Sequence, residues 1–235
     1  FPTRRSSDLV SGIVAGAHFV GSARGVAPDA KIIAAPFIGD DDVGTTGGAI
    51  LALQYAVDRG AKVINMSWGG TSCEPKLKTA IETLGKRGVL FTVAAGNGDP
   101  RGVLDLSRNP VYPAAYDTET QITVSATSSF SVLMDWSFYS AKLSHIGAPG
   151  DYILSSIPMN RYKRMPGTSM AAPFVAGAAA ILWGAFPEAT VQQVKMALLT
   201  GVDVPQLSLA VSSHGRLNVK KALDQLRLLM TPPAP

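Results

Sequence analysis

Four short runs are apolar or β-branched at nearly every position, where a half-exposed strand would alternate. They are KIIAAPFI (31–38), KVINMSW (62–68), VLFTVAAGN (89–97) and QITVSAT (121–127). Between them, GGAILALQYAVDRG (47–60) and EPKLKTAIETLGKRG (74–88) carry apolar residues at helical spacing, and each is closed by a glycine. A strand without a polar face must be covered on both sides, and helices lying between such strands supply the cover. The pattern predicts an α/β fold with three layers: a mostly parallel β-sheet with helices on both faces. Ligands of such sheets bind beyond the carboxyl ends of the strands. That directs attention to residues 39–42, 67–70 and 96–99.

The totals narrow the field. At 235 residues, 46% apolar and 16% charged, the chain suits one large domain with a proper core. No stretch reaches the roughly 20 unbroken apolar residues that span a bilayer, and no membrane partner is expected. The formal charge of +4 comes from scattered basic residues, apart from RYKR at 161–164, so no nucleic-acid partner is expected. The single cysteine, Cys73, can form neither an internal disulfide nor a thiolate metal cluster.

The most informative stretch is PGTSMAAPFVAGAAAILWGAF (166–186). Ser169 is expected to open a buried helix of small and apolar residues, with Pro173 in the first turn, where a missing N–H is tolerated. A serine in that place lies beside unpaired backbone N–H groups and the positive end of the helix dipole. Those groups can stabilise an oxyanion on a substrate that the serine attacks. A serine before a helix is ordinarily only an N-cap; here that reading must also explain why a buried helix begins at it.

GTSMAAP followed by VAGAAAIL resembles the nucleophile motif of the subtilisin-like serine proteases, the subtilases. GVAPDAKIIA (25–34), VINMSWGG (63–70), VAAGNGD (93–99), YPAAY (112–116), GAPG (147–150) and GRLNVKKAL (215–223) also fit that family, in the right order. The resemblance runs over residues 10–223. It implies a serine endopeptidase that cleaves polypeptides through an acyl-enzyme on Ser169, with no cofactor needed for the chemistry. By the same resemblance Asn97 donates to the oxyanion together with the Ser169 N–H. Ser67, Trp68 and Gly69 match the strand that pairs with an extended substrate, and Ala95 and Gly96 the wall of the pocket for the residue before the cut. Trp68 stands where the family often has Leu, and Pro166 where a small or polar residue is usual. Acidic loops bind calcium in this family, but Asp40, Asp41 and Asp42 read first as a solvated turn, and no metal ligand is assigned. A secreted or extracytoplasmic monomer is implied.

A serine nucleophile needs a base, and the base an orienting carboxylate. The resemblance puts the family's histidine immediately before the block Val10-Ser11-Gly12-Ile13-Val14-Ala15-Gly16, where this chain has Leu9. His18 is nine residues later, half a turn round and about 13–14 Å along a helix, too far to substitute. His145 and His214 precede blocks that the family does not use in catalysis, so a surface or packing role is expected for each. The family's aspartate lies upstream of its histidine.

Residues 1–9, FPTRRSSDL, back-translate to a common sequencing adapter and are expected to be an artefact of it, to be excluded from fold reasoning. Residues 10–229 then form a partial peptidase domain without its first strand, and 230–235 a disordered tail or linker start. On this reading the chain is nearly inactive. The competing reading is a pseudoprotease that binds extended peptides without cutting them. A nucleotide site at GTTGGA (44–49) lacks both the GxGxxG spacing and the Lys-Ser/Thr of phosphate loops. Met170 and Ala171 after the serine break the G-x-S-x-G of α/β-hydrolases.

Overall fold

Every residue of Leu90–Ala94 is buried, and its two faces enter different cores. Leu90 and Ala94 join one apolar cluster and Phe91 and Val93 the other, as the two-residue period of a pleated strand requires. The computed structural model describes residues 2–17, 23–39, 43–203, 207 and 210–231, with side chains in the first helix from Asp8 onward. Within these, α1 (Pro2–Ala15) is followed by α2 (Thr46–Asp58), β1 (Val63–Met66), α3 (Pro75–Gly85), β2 (Leu90–Ala94) and β3 (Gln121–Thr127). Then come β4 (Ile146–Pro149), β5 (Ile153–Ile157), β6 (Arg161–Met165), α4 (Thr168–Ala185), α5 (Val191–Thr200), β7 (Val202–Asp203), β8 (Arg216–Leu217) and α6 (Val219–Met230).

The main sheet has the order β1-β2-β3-β4-β8-β7, parallel throughout except for the β7–β8 pair. Helices α2 and α3 cover one face through Leu53, Leu77 and Ile81, which meet Met66, Phe91 and Val93. Helices α4, α5 and α6 cover the other through Val175, Leu182, Leu198 and Leu226, against Leu90, Ile122, Val124 and Ile146. Each such aliphatic side chain contributes about 1.5–3 kcal/mol when buried. The expected α/β architecture is therefore present. The expected helices at 47–60 and 74–88 are α2 and α3, stopped where Gly60 and Gly88 take φ of 86° and 85°. Helix α4 is long and apolar enough to cross a membrane by length and composition alone, but 67% of it is buried inside this domain.

Two expectations need correction. Residues 31–38 are not a buried strand: their one bridge joins Ile38 to Gly44, and Ile32 and Ile33 are 46% and 36% exposed. β-branched residues favour an extended chain, but a strand also needs a neighbouring backbone to pair with. Here β1 is the outermost strand of the sheet among the described residues, and Phe37 of the segment packs edge-on against Trp68. Second, α4 starts at Thr168, so Pro173 falls in its second turn. Residues 2–9 lie inside α1, and Leu9 is a fully packed residue at 1% exposure.

Helix α1 is held at both flanks. The carbonyls of Ile13 and Val14 in its last turn, and that of Gly16 just beyond it, accept the N–H groups of Val26, Ala27 and Gly25 at 2.8–2.9 Å. Carbonyls at a helix end need such partners. Further back, Ser155 Oγ and Ser156 Oγ of β5 donate to the carbonyls of Leu9 and Asp8 at 2.7 and 2.9 Å. Strands β5 and β6 form a separate antiparallel hairpin, and its Ile153, Ile157 and Met165 pack with Leu9, Ile13 and Met170.

Candidate active site

The chain enters α4 through Gly167, whose φ of 150° and ψ of 152° belong to a region that glycine alone adopts readily. A Cβ there would also lie 3.2 Å from Met170 Sδ. This entry brings Thr168 and Ser169 to the carboxyl ends of β1 and β2. A new helix leaves four N–H groups without helical partners, and three of them are satisfied. Thr168 N donates to Asn97 Oδ1 at 2.9 Å, while Met170 N and Ala171 N share the Gly167 carbonyl at 3.0 and 3.3 Å. The Ser169 N–H makes no hydrogen bond among the described residues.

Asn97 follows β2, and its amide orientation is fixed by chemistry. Oδ1 accepts both Thr168 N and Thr168 Oγ1, at 2.9 and 3.1 Å, so the NH₂ group is turned to the other side. Asn97 Nδ2 lies 3.8 Å from where a Gly167 Cβ would sit. Two donors, Asn97 Nδ2 and Ser169 N–H, are thus left beside the start of α4. Thr168 is buried, and its Oγ1 also accepts Gly96 N at 3.1 Å, which ties the end of β2 to the start of α4.

Ser67 forms the next wall. Ser169 Oγ donates to the Ser67 carbonyl at 3.3 Å, and Ser67 Oγ donates to the Ser169 carbonyl at 2.9 Å. That carbonyl is free to accept because Pro173, four residues on, has no N–H to donate to it. Behind Ser67 a relay continues: Asn65 Nδ2 donates to Ser67 Oγ at 2.8 Å, and Thr92 Oγ1 donates to Asn65 Oδ1 at 3.1 Å. Sequence reasoning missed Asn65, Thr92 and Thr168. The Asn-Met-Ser spacing was the available signal, since it puts Asn65 and Ser67 on the same face of one strand.

The other residues expected from sequence gather here too. Gly69 is exposed and Trp68 half-buried, edge-on to Phe37 at 4.9 Å between ring centroids. The peptide groups of Trp68 and Gly69 make no backbone hydrogen bond among the described residues, whereas Gly70 is pinned by two bonds to Tyr112, each 2.8 Å. Ala95 is fully buried and Gly96 half-buried. Ser67, Trp68, Gly69, Ala95, Gly96, Asn97 and Ser169 therefore converge on the ends of β1 and β2. Asp40, Asp41, Asp42 and His18 lie outside the described residues. Among the described residues, no group of three or more His, Cys, Asp or Glu side chains is arranged to hold a metal.

No histidine described in the structure joins this cluster. His145 is buried at the start of β4, where its Nδ1 accepts Thr123 N at 2.9 Å and its Nε2 lies 3.3 Å from Asp117 Oδ1. Thr123 is about four residues, roughly 13 Å, from the end of β3 near which α4 begins. Burial pushes the imidazole pKa down, against the pull of the Asp117 carboxylate. His214 N donates to the Val211 carbonyl in a turn beyond β7. On the α1 side of Ser169 stands Leu9, packed with Ile13 and Met170.

Comparison with known proteins agrees with this geometry. The family model described as "Subtilase family" matches residues 8–221. Subtilisin DY of Bacillus licheniformis is 35% identical over 187 residues, covering 79% of this chain and 66% of its own length. The major intracellular serine protease of Bacillus subtilis is 39% identical over 179 residues, covering 74% of this chain and 53% of its own length. The chain thus spans between about half and two thirds of these two relatives. Among solved structures, fervidolysin from Fervidobacterium pennivorans, titled a keratinolytic enzyme related to subtilisin, superposes with a TM-score of 0.81 at 27% identity. That match covers 94% of this chain and 36% of the other.

Proposed function

The chain belongs to the subtilase family of serine proteases, and from that premise we propose that it carries the nucleophile and oxyanion half of an endopeptidase site. Ser169 Oγ is the attacking atom, and the acyl-enzyme forms on it. The negative charge that develops on the substrate carbonyl oxygen is taken by Ser169 N–H and Asn97 Nδ2. The observation that carries this reading is the pair of donors left open beside Ser169 while the neighbouring N–H groups are satisfied. Extended polypeptide substrates would pair with Trp68 and Gly69 beside Ser67, using backbone groups for affinity and side-chain pockets for preference. Ala95 and Gly96 line the pocket before the cut. We take the working form to be a secreted monomer.

The proton on Ser169 has no acceptor of suitable basicity in the described structure. Its hydroxyl points to a main-chain carbonyl, and Leu9 occupies the place that the family resemblance assigns to the base. Loss of the histidine in a subtilisin, a member of this same family, costs roughly a million-fold in turnover. The chain is therefore expected to hydrolyse a fluorogenic peptide at close to the buffer rate, with Ser169→Ala indistinguishable from it. Robust hydrolysis abolished by Ser169→Ala would show that a base is present after all. Robust hydrolysis unaffected by Ser169→Ala would remove Ser169 from the role of nucleophile.

A further inference from the structure

We propose that strand β6 is a docking edge for an extended acidic polypeptide segment, which adds to the β5–β6 hairpin as a third strand. The strand pairs with β5 on one side and, among the described residues, with no strand on the other. Residues 161–164 are all exposed, and three of the four, Arg161, Lys163 and Arg164, are cations. None of the three forms an ion pair among the described residues. Arg164 Nη1 donates instead to the Tyr152 carbonyl at 3.2 Å, and Arg161 Nη2 lies 3.6 Å from Met159 Sδ. Within residues 151–165 the only carboxylate is that of Asp151. Tyr152 and Tyr162, 70% and 43% exposed, add apolar area beside the charges.

Charges on an edge strand also keep identical edges apart. That effect excludes a second copy of this chain, whose β6 carries the same three cations. It does not exclude an acidic strand, for which the same charges are attractive. The N–H and C=O groups of the edge that are unpaired among the described residues give affinity for any extended backbone, and the cations decide which one is held. Alternation along the strand puts Arg161 and Lys163 on one face of the ribbon and Arg164 on the other. A strand laid along the edge meets cations on both faces, whereas a flat membrane surface meets one face at a time. The edge ends beside the site, since Met165 packs with Met170, next to Ser169. The docking itself does not require that Ser169 cut the bound segment.

The test is fluorescence anisotropy on the full 235-residue chain, using a short labelled peptide that alternates Glu with Thr. Saturable binding is expected, weakened by added salt. Reversing the three exposed charges together (R161E, K163E, R164E) is expected to weaken it about tenfold or more, with an unchanged thermal midpoint as the check on folding. Methylating alternate backbone amides of the peptide should weaken it as well, because only strand pairing uses them. Absence of binding, equal binding of a Gln-for-Glu peptide, or indifference to amide methylation would each overturn the proposal. So would tighter binding of phosphatidylserine vesicles or a thymidine oligonucleotide through the same three cations.

Discussion

The two sides of Ser169 are built from different materials. Toward β1 and β2 its neighbours are joined by hydrogen bonds: Thr168 to Asn97 and Gly96, Ser169 to Ser67, and Ser67 back through Asn65 to Thr92. Toward α1 the neighbours are Leu9, Ile13 and Met170, an apolar cluster with no group that can take a proton. The polar side fixes dipoles where charge would develop on a substrate, and fixing them in advance is what makes such dipoles effective. The apolar side contributes packing alone. On the proposed reading the nucleophile and oxyanion donors depend on the sheet and α4, and proton transfer depends on the start of α1.

This separation can be broken most severely at Asn97. In a chain given a base by Leu9→His, adding Asn97→Leu should remove the whole gain in phosphonylation of Ser169 by a fluorophosphonate, because losing such a donor costs about a hundred- to a thousand-fold. The reference magnitude comes from the equivalent donor in a subtilisin. Adding Ser67→Ala instead should act mainly on stability, by about 1–3 kcal/mol, since it leaves the Ser169 carbonyl and Asn65 Nδ2 short of a partner. Urea midpoints and labelling rates, measured on the same proteins, separate the two effects. If Ser67→Ala slowed labelling as much as Asn97→Leu while leaving the urea midpoint unchanged, the assignment of roles would be reversed.

The smallest expected effect lies far from the site and serves as a control. His145 is held neutral, accepting a backbone N–H, with its pKa below the ordinary value of about 6.5, chiefly because of burial. Between those two values the unfolded chain binds more protons than the folded one. The contribution to stability is therefore complete above about pH 6.5 and falls as the solution is acidified, with a slope of at most about 1.4 kcal/mol per pH unit. Asp117, whose pKa is lowered mainly by its hydrogen bond to His145, adds a further loss only below the ordinary carboxylate range. Urea midpoints at pH 7.5 and 5.5 should differ for the parent chain and converge for His145→Gln, with no change in the labelling of Ser169.

Much of this architecture was legible in the sequence. The continuous apolar character of β2 and the β-branched run of β3 follow from burial on both faces, and the glycines after α2 and α3 mark real helix ends. KIIAAPFI misled because propensity carries no information about whether a partner strand lies alongside. The β5–β6 hairpin was not anticipated because its strands are short and half polar, and three cations give β6 the look of a loop. The capping box of Thr190 and Gln193 would have revealed α5. At the site, family motifs led to Ser169, Asn97 and Ser67. The relay behind Ser67 needed coordinates, since Thr92 and Asn65 are joined only by the pairing of β1 with β2.

The proposal that a base at residue 9 would activate Ser169 can be tested by intact-mass kinetics of fluorophosphonate labelling. The parent chain, Leu9→His, and Leu9→His with Ser169→Ala would be compared at pH 8. The parent should label barely above background, and Leu9→His some tens of times faster. The gain would be limited because Leu9→His alone adds no orienting aspartate, whose loss in a subtilisin costs about thirty thousand-fold in turnover, against about two million-fold for the histidine. The double variant should lose the gain entirely. Fast labelling of the parent chain, or labelling of the double variant at the Leu9→His rate, would contradict the division of the site into a polar half that is built and an apolar half that is not.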